Sequence, residues 1–328
     1  MENDISIITY KIRHNRDYTI ELDKARKIAE FTLKNRKEKL TSKHVKHFGL
    51  KSVISNQIIR KYKNQKNCKA IKSVVLTVPG QGIHYKIDTS MIRIPCLKHE
   101  FKLYPKHTVE KVNQIEINHK YIYVACTVSS EPVTYQRRYV GVDLNSSHHI
   151  AVAAFPNTGK VWKLGKQASI RKKYFKLRQR FQKDGKLYKA KEVGQREKNI
   201  IYNLNHQISN KIVREAKKNK ADIAVEDLTG IRKPKRKGKA LNRSIHSWCF
   251  YQLRQMIEYK AHLHGLKVFP INPYMTSQNC SRCKKKGTRD KKSFHCQHCG
   301  HTDTADCNAA FNIAQKVDDE YLLIDLVG

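Results

Sequence analysis

Two cysteine pairs near the end of the chain, Cys280-x-x-Cys283 and Cys296-x-x-Cys299, constrain its structure more than any other feature. Thiolates two residues apart on a tight turn can bind one ion. Two such turns supply the four sulfur ligands of a tetrahedral, structural Zn²⁺ site. Gly300 follows the second pair, at the place where such a turn often requires glycine. The spacing therefore predicts a bound Zn²⁺, and it disfavours two disulfides or four unrelated thiols.

The remaining cysteines and the nearby histidines show no ligand spacing. We expect His295 and His298 to be bystanders of the zinc site. We also expect the five other cysteines to be small apolar fillers: Cys68, Cys96, Cys126, Cys249 and Cys307. Nine cysteines, an odd number with four in metal spacing, fit a reducing compartment better than a disulfide scaffold.

The charge of the chain points to a polyanionic partner. Lys and Arg number 66 against 28 Asp and Glu, a formal net charge of +38. Nucleic acid is the leading candidate partner, and an anionic membrane surface is the alternative. The sequence has no run of about 18 apolar residues, and its first residues, MENDISIITYK, lack the apolar core of a signal peptide. We therefore expect an intracellular protein.

The first 130 residues predict a strand-rich domain with inserted helices. Residues 5–14 form a β-branched and aromatic run, residues 20–65 show helical spacing, and residues 71–130 hold short strand-like runs between prolines and glycines. This pattern predicts a small antiparallel barrel that the first strand joins. The basic helix faces are either solvated or bind phosphates, and the charge excess favours binding. Six aromatic residues could stack on bases, although we expect most of them to pack: Tyr85, Phe101, Tyr104, Tyr121, Tyr123 and Tyr135.

A new α/β domain is predicted to begin near residue 135. Residues 139–144, 149–155 and 160–162 predict a three-stranded meander, followed by helices over about 166–193 and 196–219. Strands are predicted at 221–228 and 266–271, with a helix from about Ile245 between them. Residues 229–243 carry seven Lys or Arg, and we favour a lid on a phosphate chain over a plain solvated loop.

Three acids in this domain share a setting. Asp143 lies inside an apolar strand, where a carboxylate is costly unless it is paired or binds a cation. Glu226 lies at the carboxyl end of the strand predicted at 221–228, and Asp306 is expected at the N-cap of the helix after the cysteine pairs. Three converging carboxylates suit two Mg²⁺ ions, which can stabilise both oxygens of a phosphodiester displacement. Asp227 and Asp303 are the nearest alternative ligands.

These residues resemble the TnpB/OrfB family of insertion-sequence proteins, the ancestors of type V CRISPR effectors. The motifs occur in family order over roughly residues 139–315. They are Gly141-Val142-Asp143-Leu144-Asn145, Val225-Glu226-Asp227-Leu228, Tyr259-Lys260-Ala261, Thr276-Ser277-Gln278-x-Cys280-Ser281-x-Cys283, Cys296-x-x-Cys299-Gly300 and Ala305-Asp306-x-Asn308-Ala309-Ala310-x-Asn312-Ile313.

The resemblance implies an α/β architecture with a RuvC-like ribonuclease H fold. The nuclease domain would span 136–275 and 304–328, with a zinc ribbon inserted at 276–303. It would follow a small β-barrel domain at 1–19 and 67–135 with a helical recognition insertion at 20–66, and these N-terminal parts would grip RNA and read a short DNA motif.

The resemblance also implies an activity. The chain would be an RNA-guided DNA endonuclease, encoded by or derived from a transposable element, and associated with the nucleoid in the cytoplasm of a prokaryotic host. Its partners would be a guide RNA and target DNA, with no membrane. Asp143, Glu226 and Asp306 would be catalytic ligands of Mg²⁺ or Mn²⁺, beside the structural Zn²⁺. A guided repressor that does not cut, or an RNA-binding module with vestigial acids, remain the competing interpretations.

Overall fold

The structure is a computed structural model that describes residues 5–65, 67–68, 70–145, 149–228 and 250–322. The chain divides into two compact units, residues 1–130 and 131–328. The predicted basic loop at 229–243 and the predicted start of a helix near Ile245 lie outside the described residues. No helix of the described part is long and apolar enough to cross a membrane.

The described residues of the first unit form two antiparallel sheets and two α-helices. Its elements are β1 (Ile5–Arg13), α1 (Thr19–Lys34), α2 (Ser52–Lys63), β2 (Leu76–Pro79), β3 (His84–Lys86), β4 (Met91–Ile94), β5 (His99–Lys102), β6 (Val109–Ile117) and β7 (Tyr121–Ser129). One sheet has the order β1-β7-β6-β2 and the other the order β3-β4-β5. Every second residue of β7 is buried, so one face of that strand packs against the interior.

The N-terminal unit contains the predicted inserted helices but differs from the predicted barrel. The run at 20–65 holds two helices, α1 and α2. The chain between them turns at Gly49, which has a φ of 71° that glycine adopts without strain. The strands pair as two separate sheets, and no hydrogen-bonded pairing among the described strands closes them into one barrel. The first strand does join a sheet, antiparallel to β7.

The second unit is a mixed sheet with helices. Its elements are β8 (Tyr139–Leu144), β9 (Ala151–Phe155), β10 (Lys160–Leu164), α3 (Ala168–Lys183), α4 (Leu187–Lys218), β11 (Asp222–Glu226), α5 (Phe250–Leu263), β12 (Val268–Ile271), β13 (Thr288–Asp290), β14 (Ser293–His295), β15 (Thr302–Thr304) and α6 (Ala305–Val317). The large sheet has the order β10-β9-β8-β11-β12. The first three strands form the antiparallel meander, and β8, β11 and β12 are parallel.

The break between α3 and α4 lies earlier than the sequence predicts. Residue patterning predicts helices over 166–193 and 196–219, but α3 ends at Lys183 and α4 runs unbroken from Leu187 to Lys218. Gly185 has a φ of 68°, a left-handed conformation that ends a helix readily. The turn therefore forms at this glycine rather than near residue 195.

The large sheet has two different faces. Val140, Val142 and Leu144 of β8 belong to a core with residues of α4 and α5. Tyr139, on the opposite face, packs with residues of α6. A Cβ on Gly141 would lie 1.9 Å from the carbonyl oxygen of Ala310. Because glycine has no Cβ, α6 can lie directly against β8 beside Asp143.

Candidate active site and zinc ribbon

Asp143 and Glu226 lie side by side on adjacent parallel strands. In the register of β8 and β11, Gly141 pairs with Ala224 and Val142 pairs with Val225. The next residues along both strands are Asp143 and Glu226. Since side chains alternate along a strand, Asp143 shares the face of Gly141, the face that α6 covers. The two carboxylates are buried, with exposed fractions of 7% and 8%.

Asp306 reaches the same face from α6. The prediction that Asp306 caps this helix is wrong, because Thr304 is the N-cap and its hydroxyl oxygen accepts a hydrogen bond from the amide of Cys307. Thr304 has the extended backbone that an N-cap needs, whereas Asp306 already belongs to the first helical turn. Asp306 is a buried residue, 7% exposed, and its negative charge acts on the Asp143 carboxylate.

Each acid has a close side-chain partner. The amide of Asn145 donates to Asp143 at 2.7 Å, and the hydroxyl of Thr276 donates to Glu226 at 2.8 Å. Lys292 Nζ lies 2.7 Å from both carboxylate oxygens of Asp306. Thr276 and Lys292 come from the segment between β12 and α6, so that segment supplies donors to two of the three acids.

Burial and mutual repulsion shape the charge of the site. Burial raises the pKa of Asp143 well above its ordinary value, and the negative charges of Glu226 and Asp306 raise it further. The hydrogen bond from Asn145 and the charge of Lys292 oppose that rise. Burial also raises the pKa of Glu226, against the hydrogen bond from Thr276. Buried carboxylates that repel one another are stabilised by binding a proton or a cation, which fits a divalent-metal site.

Space for a substrate lies beside Asp306. A cavity of about 590 Å³ is lined by two basic side chains, Lys163 and Lys292, together with His149, Val152, Ala168 and Thr304. A phosphate group is attracted to such lysines.

The two acids that the sequence offered as alternative metal ligands have other partners. Asp227 accepts from Arg254 at 2.7 Å, and Asp303 accepts from the amide of Thr304 at 2.6 Å.

The four cysteines form a compact sulfur cluster. Their sulfur atoms all lie within 4.8 Å of one another, with 3.6 Å between those of Cys280 and Cys299 and 3.4 Å between those of Cys283 and Cys296. Four sulfurs at about 2.3 Å from one Zn²⁺ would have similar separations. In the described residues no other set of three or more His, Cys, Asp or Glu is gathered so tightly. His295 and His298 are outside the cluster, and the cysteines fit a structural zinc.

The two cysteine turns have the same backbone geometry. The amide of Lys284 donates to the carbonyl of Cys280, and the amide of Gly300 donates to the carbonyl of Cys296, both at 2.9 Å. Lys284 and Gly300 have φ values of 62° and 69°. The first turn therefore places a lysine in the left-handed conformation that glycine occupies in the second.

Two asparagines attach the ribbon to α6. The Asn308 amide donates to the carbonyl of Asn279, and its oxygen accepts from the amide of Ser281. The Asn312 amide donates to the carbonyls of Thr276 and Asn279 at 2.8 and 2.7 Å. Asp306 lies on the same helix, so these bonds hold the ribbon and the third acid in one piece of structure.

Comparison with known proteins places this architecture in a family. Residues 250–313 match the family model described as Cas12f1-like, TNB domain. The Cas12f1 protein of Sulfoacidibacillus thermotolerans, named a CRISPR-associated endodeoxyribonuclease, is 31% identical over 96% of this chain and 71% of its own length. A TnpB-like protein of Methanocaldococcus jannaschii is 32% identical over 54% of this chain and 68% of its own length. The chain belongs to the TnpB family.

A solved structure agrees with this TnpB-family assignment at the level of the fold. The protein in a cryo-EM structure of a Cas12f1-sgRNA-target DNA complex superposes with a TM-score of 0.53 at 16% identity. The match covers 90% of this chain and 81% of that protein. The similarity to the family inferred from the sequence motifs is confirmed by the family model and by the Cas12f1 and TnpB-like relatives.

Sequence reasoning missed several residues of this TnpB-family site. Lys292 carries no signal, because it is one lysine in the basic run Arg289-Asp290-Lys291-Lys292. Thr276, Asn308 and Asn312 lie in the family motifs, but their spacing does not reveal their partners. Those partners are far away in sequence and become visible only when the chain is folded.

Proposed function

We propose that this chain is an RNA-guided DNA endonuclease, encoded by or derived from a transposable element. The observation that carries the proposal is the placement of Asp143, Glu226 and Asp306, three buried carboxylates where α6 packs against one face of the sheet. Such a cluster is costly without a cation, so it is a candidate functional site. The relatives support the same class of activity, since one is named an endodeoxyribonuclease. Guide RNA and target DNA are its proposed partners, since the Cas12f1 protein that shares its fold forms a complex with sgRNA and target DNA.

The proposed nuclease domain has a RuvC-like ribonuclease H fold over residues 136–275 and 304–328. The sheet order β10-β9-β8-β11-β12 supports it, with an antiparallel meander followed by two parallel strands. The zinc ribbon at 276–303 is inserted before the helix that carries Asp306. The N-terminal domain at 1–19 and 67–135 and the helical insertion at 20–66 complete the proposed organisation.

The three acids would hold Mg²⁺ or Mn²⁺. Bound there, the ions would stabilise negative charge on the attacking and leaving oxygens of phosphodiester hydrolysis. The protein contributes orientation: Asn145 and Thr276 each fix one carboxylate by a hydrogen bond. Lys163 and Lys292 line the adjacent cavity, where they would attract and position the phosphate of the DNA strand.

The N-terminal unit is proposed to bind the guide RNA and to read a short DNA motif. Lys11 Nζ lies 3.8 Å from the centre of the Tyr121 ring, which combines a cation and an aromatic face on the β1–β7 sheet. The side chain of Tyr104 is 78% exposed and is available for base stacking. The net charge of +38 fits a protein that neutralises many phosphates of a bound nucleic acid. Binding to DNA would place the protein on the nucleoid in the cytoplasm of a prokaryotic host.

A guided repressor that does not cut is the second candidate function. Its binding would need the basic surfaces but none of the three acids. The presence of all three acids, buried together, weighs against it, and it weighs equally against an RNA-binding module with vestigial acids.

A cleavage experiment separates these functions. Wild-type protein with the RNA that copurifies with it, matching DNA and Mg²⁺ should cut the DNA. Asp143→Ala should abolish cutting but leave guided binding nearly unchanged, because affinity comes from base pairing and from Lys and Arg on phosphates. Glu226→Ala and Asp306→Ala should behave alike, and double variants should be scarcely worse, since the acids act as a unit.

Asp303→Ala is the matched control for Asp306→Ala. Asp303 is a neighbouring acid whose carboxylate accepts from a backbone amide and which does not line the cavity beside Asp306, so its loss should be milder. Wild-type protein that binds guided DNA but never cuts it, with either Mg²⁺ or Mn²⁺, would establish the repressor instead.

A further inference from the structure

The helix α3 presents an unbalanced basic surface. It carries seven Lys or Arg and no Asp or Glu, and none of its residues is buried. Five of its basic residues are exposed and recur at positions that form one stripe along the helix: Lys172, Lys173, Lys176, Arg180 and Lys183. We call these five residues the α3 stripe. Such a stripe complements the phosphates of a nucleic acid, which are spaced regularly along its backbone.

The other two basic residues of α3 face inward. Glu197 of α4 is 5% exposed and accepts from both, with Arg171 Nη1 at 3.4 Å from one carboxylate oxygen and Arg178 Nη1 on the other oxygen. A buried carboxylate with two guanidinium partners is strongly destabilised if either partner is removed. Glu197 therefore fixes the position of α3 along α4, with the α3 stripe outward.

A chain of hydrogen bonds joins this clamp to the acid site. Arg171 Nε donates to the side-chain oxygen of Gln167 at 3.2 Å, and Gln167 Nε2 donates to the backbone carbonyl of Asn145 at 3.0 Å. Asn145 in turn donates to Asp143 at 2.7 Å. Gln167 is 1% exposed. One buried glutamine thus connects α3 with the residue that orients an acid.

We propose that the α3 stripe binds the nucleic-acid backbone and that Gln167 is a positioning residue. Through Gln167, docking of α3 holds Asn145 and so sets the orientation of the Asp143 carboxylate. The positioning part rests on the proposed endonuclease function. The physical basis is that each link is a single hydrogen bond between groups that are buried or half-buried. If Arg171 moves, Gln167 must therefore move with it, or one of these hydrogen bonds breaks. Nucleic acid bound to the α3 stripe, outside the acid site, would then favour the orientation of the Asp143 carboxylate that cutting requires.

The first test concerns the α3 stripe. Replacing its five Lys and Arg with Gln should weaken binding of the guide RNA paired to a DNA strand. It should also lower the slope of log Kd against log salt, by about 0.7–0.9 for each phosphate that the protein no longer neutralises. An unchanged affinity and slope would show that the stripe is only solvated, and would overturn this part of the proposal.

The second test concerns Gln167. Gln167→Met should leave affinity, the salt slope and the melting temperature near wild-type values, but lower the single-turnover cutting rate of the bound complex at least about tenfold. Gln182→Met, the same change at the exposed end of α3, should cut normally. Asn145→Ala combined with Gln167→Met should cut about as slowly as Asn145→Ala alone, because Gln167 acts through Asn145. Normal cutting by Gln167→Met, or losses that multiply, would contradict the proposal.

Gln167→Glu provides a second variant if Gln167→Met fails to fold. It keeps an acceptor for Arg171 but removes the donor to the Asn145 carbonyl, so we expect the same loss of cutting. Wild-type rates in Gln167→Glu would contradict the role of that donor.

Hydrogen exchange separates failure of this proposal from failure of the proposed function. Binding of the guide RNA–DNA hybrid should slow amide exchange in the peptide from Tyr139 to Asn145 in wild type but not in Gln167→Met. This readout does not require cutting. Slower exchange in both proteins, or in neither, would overturn the coupling. A wild-type protein that shows the coupling but never cuts would overturn only the endonuclease function.

Discussion

Lys292 Nζ lies 2.7 Å from both carboxylate oxygens of Asp306, so an ammonium group from the ribbon neutralises one of the three acids. The backbone supports this placement, because the amide of Ala305 donates to the carbonyl of Lys292 at 2.9 Å. A divalent ion that binds Asp306 must share or displace this contact. The ribbon therefore has an electrostatic effect on the site in addition to its structural one.

We expect Lys292→Met to tighten Mn²⁺ binding at the acids. The lysine competes for Asp306, and its charge repels a cation nearby. Its side chain is 41% exposed, so solvent screens part of the effect. A tenfold gain in affinity, about 1.4 kcal/mol, is a reasonable size. Free Mn²⁺ counted by electron paramagnetic resonance gives the affinity. Lys291→Met removes the same charge from an exposed neighbour and should change little, and equal affinities in all three proteins would exclude competition by Lys292.

Zinc removal should disable the site although all three acids remain. We expect one Zn²⁺ per chain by atomic absorption, and structural zinc contributes on the order of 10–16 kcal/mol of apparent binding energy in small fingers. Without it the ribbon should unfold and withdraw Thr276 and Lys292 from the acids, so DNA cutting should fall.

Cysteine variants identify the zinc ligands. Cys283→Ser should reduce the zinc content, whereas Cys68→Ser, at a half-buried cysteine outside the cluster, should keep it. Purified wild-type protein without zinc would refute the ribbon.

The same substitution should have opposite effects at two glycines. In Gly141→Ala the new Cβ would lie 1.9 Å from the Ala310 carbonyl oxygen, so α6 must move, and overpacking of this kind costs about 1–3 kcal/mol or more. In Gly194→Ala, inside α4, the nearest atom is 3.6 Å away, and we expect a gain of about 0.5–1 kcal/mol from helix propensity. Urea denaturation measures both changes. Similar stabilities for the two variants would show that α6 does not pack so closely on β8.

Lys260 should make stability depend on pH. It is 7% exposed, it donates to the His206 carbonyl at 2.9 Å and to the Ser209 hydroxyl at 2.6 Å, and burial lowers its pKa to about 8. The unfolded chain keeps a pKa of about 10.4, so between about pH 8 and pH 10 the unfolded state binds more protons. The free energy of unfolding should therefore rise with pH in this window, by at most about 1.4 kcal/mol per pH unit. The reason is that the buried Lys260 side chain is then uncharged, so its burial no longer costs desolvation of an ammonium group.

Lys260→Met tests this sign. The variant should not gain stability between about pH 8 and pH 10. The free energies of unfolding of both proteins are measured by urea denaturation at several pH values. Their difference gives the contribution of Lys260, because the other titrating groups contribute equally to both proteins. Lys218→Met, at an exposed lysine of α4, should follow wild type. A variant with the same pH slope as wild type would show that Lys260 keeps an ordinary pKa.

The sequence by itself determined the features whose chemistry is local. The two cysteine pairs specify a sulfur cluster because their spacing fits one tight turn each, and strand patterning located β8 and β11 with their acids. Asp143, Glu226 and Asp306 stand out because carboxylates in apolar segments are conspicuous. The structure brings them together on one face, and their catalytic role stays a prediction.

Only the tertiary structure decided which distant residues serve those acids. Lys292 is one lysine among many, and it became distinctive only when the ribbon folded against α6. Gln167 lies 22 residues from Asn145, and Glu197 lies 26 residues from Arg171. Residue patterns of period 2 or 3.6 describe single elements. Hydrogen bonds between side chains of different elements depend on packing, which no local pattern encodes.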